Sequence, residues 1–270
     1  MLPQATEPER EDRRAALAAL LWQLADDDLV VAQRASEWLG LHPHVEEDVA
    51  FASIAQDELG HAAMYFGLLE ELGFGPRDDL ALLRPIAERR HSVLLEWPNG
   101  EGEYWDEPHF DWAFALLRHF AYDTFEQVRL ERLRASSHRP LAELAVKILR
   151  EERYHLAHHT MWIRRLAGHD AEARARLIQA GQRVAELAGD LWDTGGWAPA
   201  WERFGLMADP DGLRAAWEAA AVPVLEAAGL PAWEVPAPRY NGRRGVHSPY
   251  GASLVDTMAT VVRLDPRAQW

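Results

Sequence analysis

The sequence predicts an all-α fold built on a four-helix bundle. Apolar residues recur at three- and four-residue spacing through most of the first two-thirds of the chain, and nothing shows strand-like alternation. A short acidic motif also occurs twice, as Asp57-Glu58-x-x-His61 and as Glu151-Glu152-x-x-His155, 94 residues apart. Each copy falls within a helical stretch, so the chain reads as two related helical hairpins.

The first helix is expected from about Asp12 to Gly40, where an Ala/Leu-rich run meets Gly40 and the break His42-Pro43. A second runs from about Val45 to Leu72 and closes at Gly73, with Val49, Phe51, Ile54, Leu59, Met64, Tyr65 and Leu68 as its apolar positions. Residues 74–108 read as irregular, punctuated by Gly75, Pro76, Pro85 and Trp97-Pro98-Asn99-Gly100. So long a connection suits a crossover between two hairpins. A third helix is expected from about Phe110 to Ala135 and a fourth, after Ser136, Ser137 and Pro140, to about Leu166. Further helices are expected near 171–190, 211–228 and 248–263, between Trp/Gly/Pro-rich loops. The whole chain, 1–270, is read as one domain: a bundle core over about 12–168 and C-terminal helices with a docking tail over about 169–270.

Composition narrows the function. Hydrophobic residues make up 48% of the chain, enough for a sizeable core. There is no apolar run of membrane-spanning length and no secretory pattern at the start, so a cytoplasmic location is expected, with no membrane partner. The absence of cysteine removes disulfides and thiolate chemistry. A formal charge of −15 argues against nucleic acid and reads as a solvated acidic surface.

The repeated motif carries chemistry. Residues three apart share a helix face, so Glu58 with His61, and Glu152 with His155, each project a carboxylate and an imidazole together. Two facing helices of that kind, with one acid from each of two more, form the ligand set of ferritin-like di-iron proteins. Histidine and carboxylate donors suit iron, manganese or zinc. Counting back across the first turn reaches Asp26-Asp27-Asp28; Asp28 lies 30 residues before Glu58. A solvated break in the helix is the plainer reading of that acidic run. In the second hairpin, Asp123 lies 29 residues before Glu152, with Glu126 as the alternative one turn on. Asp57 and Glu151 are then placed to accept the free N–H of a ligand imidazole. The predicted metal ligands are therefore Asp28, Glu58, His61, Asp123 (or Glu126), Glu152 and His155, and the fold is ferritin-like with additional C-terminal helices.

Several segments resemble a known family. Gln33-Arg34-Ala35-Ser36-Glu37-Trp38, Glu96-Trp97-Pro98-Asn99-Gly100, Arg153-Tyr154-His155-Leu156, Leu213-Arg214-Ala215-Ala216-Trp217-Glu218 and Gly245-Val246-His247 with Trp270 are similar to the C subunits of phenylacetyl-CoA epoxidase complexes. The order matches from about Leu24 to Trp270. The resemblance implies a helical subunit of a bacterial multicomponent monooxygenase that epoxidises the aromatic ring of phenylacetyl-CoA in aerobic phenylacetate breakdown. It implies a related A subunit that carries the catalytic di-iron centre, other subunits of the complex, and electrons from NADPH through a separate reductase. This chain would then have no flavin or nicotinamide site of its own. C subunits in this family typically have an eroded metal site, yet Asp28, Glu58, His61 and Glu152 are all competent ligands here.

Two readings follow. In one, the chain is an auxiliary C subunit that stabilises the A subunit in a heteromer, with a homodimer as a further assembly. In the other, it is a self-sufficient di-iron oxidoreductase. Most of the 12 tryptophans read as core filler, and Trp192, Trp197 and Trp201, in a loop-rich region, are the interface candidates.

Overall fold

The computed structural model describes residues 6–42, 44–101 and 109–268. Residues 102–108 of the irregular stretch, Pro43 of the expected break and the closing Trp270 lie outside the described residues.

Helix α1 (Glu7–Ser36) starts earlier than the apolar rhythm suggested. The Thr6 backbone N–H donates to the Glu9 carboxylate at 3.0 Å, and Glu7 and Glu9 place negative charge at the positive end of the helix. The turn after α1 needs Gly40 at φ +79°, and the Gly40 N–H donates to Asp48 at 2.8 Å, tying the turn to the first coil of α2 (Val45–Glu71). Along α2, Phe51, Ile54, Tyr65 and Leu68 are buried as expected. Val49 and Leu59 correct that list: at 65% and 45% exposed, they fall on the solvent side of the same helix.

The crossover is less irregular than expected. It contains α3 (Arg77–Leu82), α4 (Val93–Glu96) and a pair of two-residue antiparallel strands, β1 (Gly100–Glu101) and β2 (His109–Phe110), in register Gly100 with Phe110. Strands this short show no alternation to read. Gly100 is required there, since a Cβ would stand 2.2 Å from the His109 carbonyl oxygen. Asp111 caps α5 (Trp112–Leu133) by accepting from the Phe114 N–H at 3.2 Å. Helix α6 (Arg139–Ala167) opens with Pro140 in its first turn.

Helix α1 pairs with α2 and α5 with α6, and the two hairpins enclose a large apolar core, with a smaller cluster around Trp38 and Phe51. Beyond them, α7 (Ala171–Leu187) packs on α5 and α6, α8 (Ala198–Arg203) on α1, α9 (Leu213–Ala227) on α5, and α10 (Gly251–Ala259) on α3 and α4. The tryptophans of these segments face mainly inward. Trp201 and Trp217 are 1% and 2% exposed, and their indole N–H groups donate to the carbonyls of Ala16 and Ala121, both at 2.9 Å. Trp201 therefore seals the bundle and is not free to anchor a partner, whereas Trp197 is 37% exposed. Among the described residues no helix is long and apolar enough to cross a membrane.

Candidate metal centre

Four helices bring the predicted residues into one interior. Asp28 comes from α1, Glu58 and His61 from adjacent turns of α2, Asp123 and Glu126 from α5, and Glu152 and His155 from α6. The five carboxylates are 0% exposed and the two histidines 1% and 2%. Donor atoms of Asp28, Glu58 and His61 lie within 4.8 Å of one another, as do those of Glu58, Glu152 and His155. Glu58 belongs to both groups.

The imidazoles point Nδ1 inward. His61 Nδ1 stands 3.6 Å from Glu58 and 3.8 Å from Glu152; His155 Nδ1 stands 3.4 Å from Glu58 and 3.3 Å from Glu152. Donors about 2.0–2.2 Å from one shared cation are separated by roughly this much. Their outer nitrogens are held across the bundle: His61 Nε2 is 2.7 Å from Glu151 and His155 Nε2 is 3.2 Å from Asp57. Each acid thus braces the imidazole of the opposite motif.

The interior is strongly polarised. Burial alone would raise Glu58, but the two flanking imidazoles hold its carboxyl down to about 2. Burial opposes charge on the imidazoles, and the carboxylates overcome it, raising His61 to about 10 and His155 to about 12. Glu152 is pushed up to about 7 by burial and by the Glu58 charge. Asp28 is raised by burial and then by Glu126 and Glu58. Both oxygens of Glu58 and of Glu152, one of Asp28, and the Nδ1 atoms of His61 and His155 are buried without a hydrogen-bond partner. So many unpaired polar atoms in one interior is costly unless a cation gathers them. The donor set therefore fits a dinuclear metal centre.

The two candidates on α5 differ in their partners. Asp123 gives one oxygen to His159 Nδ1 at 2.6 Å and leaves Oδ1 unpartnered. Its carboxyl is raised by burial, with the charge of His155 opposing. Glu126 is bound by Arg129, Nε donating at 2.8 Å, and leaves Oε1 unpartnered. Burial raises it to about 7 against the pull of Arg129.

The acidic run on α1 is not a solvated break. Asp26, Asp27 and Asp28 are all 0% exposed. Asp26 pairs with Arg84 and Arg89, Asp27 with Arg129 and Arg243 at 2.7 Å each, and only Asp28 enters the site. Sequence reasoning did not single out Tyr122, which donates to Asp28, or Tyr65, whose buried hydroxyl has no partner. Their spacing was a usable signal: Tyr65 follows His61 by four residues, one turn along the same face. Arg129 and His159 follow Glu126 and His155 at three and four residues.

A model of the family described as phenylacetic acid catabolic protein matches residues 2–270. The chain belongs to that family. It is 31% identical over 255 residues to the C subunit of 1,2-phenylacetyl-CoA epoxidase from Escherichia coli K12, across 94% of this chain and 99% of that protein. Among solved structures it is similar to Protein 19, with aldehyde deformylating oxidase activity, from Synechococcus: TM-score 0.52, 16% identity, 85% of this chain and 95% of the other. That likeness is one of fold, and the fold is ferritin-like.

Proposed function

We propose that this chain is the C subunit of a cytoplasmic phenylacetyl-CoA epoxidase, pairing with and stabilising a catalytic di-iron A subunit in phenylacetate degradation. The observation that carries this reading is the end-to-end similarity to the C subunit of the E. coli enzyme. Within that role the chain keeps a metal centre of its own. Asp28, Glu58, His61, Asp123, Glu152 and His155, with Glu126 as the alternative to Asp123, would hold it. The unpartnered donor atoms of the interior support this. Iron bound there would supply oxygen chemistry. What the chain itself contributes is a buried interior, imidazoles oriented by Asp57 and Glu151, and a carboxylate, Glu58, kept ionised between them.

The intact donor set also favours a second reading, a self-sufficient di-iron oxidoreductase. Co-expression separates the two. Tagged chain should retain the A subunit through gel filtration, show little oxygenase activity alone, and contain metal when grown with ample iron. Ring epoxidation of phenylacetyl-CoA by the isolated chain with a suitable reductase would overturn the auxiliary role. Trace metal alone would leave the subunit role and remove the centre.

A further inference from the structure

A second cluster of ligand-type side chains lies where the crossover meets the C-terminal segment. His91 precedes α4, Glu96 is its last residue, and His247 comes from the loop before α10. One donor atom from each falls within 4.8 Å of the other two. His91 and Glu96 are fully buried, and the His247 side chain is 6% exposed.

Hydrogen bonding decides what each nitrogen can do. His247 Nε2 lies 3.2 Å from the Arg89 carbonyl oxygen, which only accepts, so Nε2 carries a proton. In the neutral ring Nδ1 is then a lone pair, and it points at Glu96 Oε1. His91 Nε2 stands 3.1 Å from that same oxygen, outside hydrogen-bond geometry, and neither nitrogen of this buried ring has a partner. The other oxygen of Glu96 accepts from the Ser248 backbone N–H at 2.8 Å and from its hydroxyl at 2.5 Å. The carboxylate is thereby fixed with Oε1 toward both rings. A proton on His247 Nδ1 would relieve one contact and leave His91 unsatisfied. A cation satisfies all three donors. A carbonyl on the far N–H of an imidazole and donors fixing a carboxylate are the outer supports that metal sites use.

We propose that His91, Glu96 and His247 bind one divalent cation of the zinc class, which clamps the crossover to the C-terminal segment. Two imidazoles and one carboxylate leave a fourth position for water, on the His247 side where the cluster meets solvent. The segment is built to come this close. A Cβ at Gly242 would stand 2.0 Å from the His91 carbonyl oxygen and 3.4 Å from the His247 ring. It shares no residue with the two groups of the bundle interior.

The test uses the full chain carrying His61→Ala and His155→Ala, so that the bundle interior has lost its imidazoles. Equilibrium dialysis against zinc with elemental analysis should give one ion per chain, and zinc should raise the unfolding temperature by several degrees. His247→Ala, or the near-isosteric Glu96→Gln, should lower affinity at least tenfold and abolish the thermal shift. Zinc-edge absorption of the parent protein should show two imidazoles in the metal shell, a readout that holds even if those variants fold poorly. Folded protein with less than a tenth of an equivalent of zinc, or a metal shell without imidazole, overturns the site and leaves a hydrogen bond between His247 and Glu96.

Discussion

His61 Nε2 lies 2.7 Å from a carboxylate oxygen of Glu151, a residue 90 positions away on the facing helix. The reciprocal pair, His155 with Asp57, stands at 3.2 Å. Each acid immediately precedes the ligand-type glutamate of its own motif yet serves the imidazole of the other. The doubled acid in both motifs therefore has a physical use: one member faces inward and the other crosses the helix interface. Because the braced nitrogen is Nε2, Nδ1 is the nitrogen that faces the interior carboxylates.

Removing one brace should weaken metal binding without emptying the site. Glu151→Gln keeps an acceptor but loses the charge, and outer partners of this kind are worth about 10–100-fold in affinity. Asp57→Asn should cost less, since its contact is longer and its side chain is 42% exposed. Chelator competition on iron-loaded protein measures both. Equal affinities in wild type and Glu151→Gln would show that the crossing contacts do not orient the rings.

Much of this was legible because helix periodicity makes spacing a distance. Glu58 with His61, and Glu152 with His155, needed only the three-residue rule, and antiparallel pairing led to Asp28. The arginines were harder. Arg84, Arg89, Arg129 and Arg243 neutralise Asp26 and Asp27 from positions up to 216 residues away, and nothing local in a sequence marks such a partner. A single surface-directed period cannot describe α1 either, because it is enclosed on most sides: Asp26, Asp27 and Asp28 point in different directions and all are buried. The rhythm erred on Val49 and Leu59 for the opposite reason, since an apolar residue in an amphipathic helix need not be inside.

The acid from α5 should be Asp123. Its partner His159 is lowered to about 3 by burial, so no positive charge holds the carboxyl, and Oδ1 is left without a partner. Glu126, by contrast, has its charge balanced by two nitrogens of Arg129 on Oε2. Asp123→Asn should reduce iron from two ions per chain toward one, whereas Glu126→Gln should leave it near two. Elemental analysis reads the difference directly, and the reverse pattern would assign Glu126.

Arg243 joins the C-terminal segment to the bundle. Its guanidinium donates to Asp27 at 2.7 Å, to the Arg90 carbonyl at 2.9 Å and to the Leu191 carbonyl at 3.0 Å, and it is fully enclosed with Asp27. Arg243→Ala strips a buried carboxylate of one of its two cations and should destabilise the fold by about 3–5 kcal/mol. Urea unfolding should remain one transition at a lower midpoint. Two separate transitions would mean that the C-terminal helices unfold independently of the bundle.

Acid sensitivity should arise beside the metal centre, from histidines that the fold keeps neutral. His119 is fully buried, stacks on His159 with ring centroids 5.3 Å apart, and has no hydrogen-bond partner on either nitrogen. Burial, then the neighbouring His159, pushes it well below the ordinary range. His158 is lowered to about 4 by burial and by His159, with Glu47 at 3.1 Å pulling the other way. For a base lowered on folding, the unfolded chain binds protons first. Stability is therefore fully present above the unfolded value of about 6.5 and falls as pH drops through the window toward 4. Replacing His119 with Phe keeps the stacked ring and removes one proton-binding site. The variant should lose less stability than wild type between about pH 7.5 and pH 5, a span that brackets the unfolded histidine value, and urea midpoints at the two ends give the comparison. Parallel losses in both proteins would place the acid sensitivity elsewhere than His119.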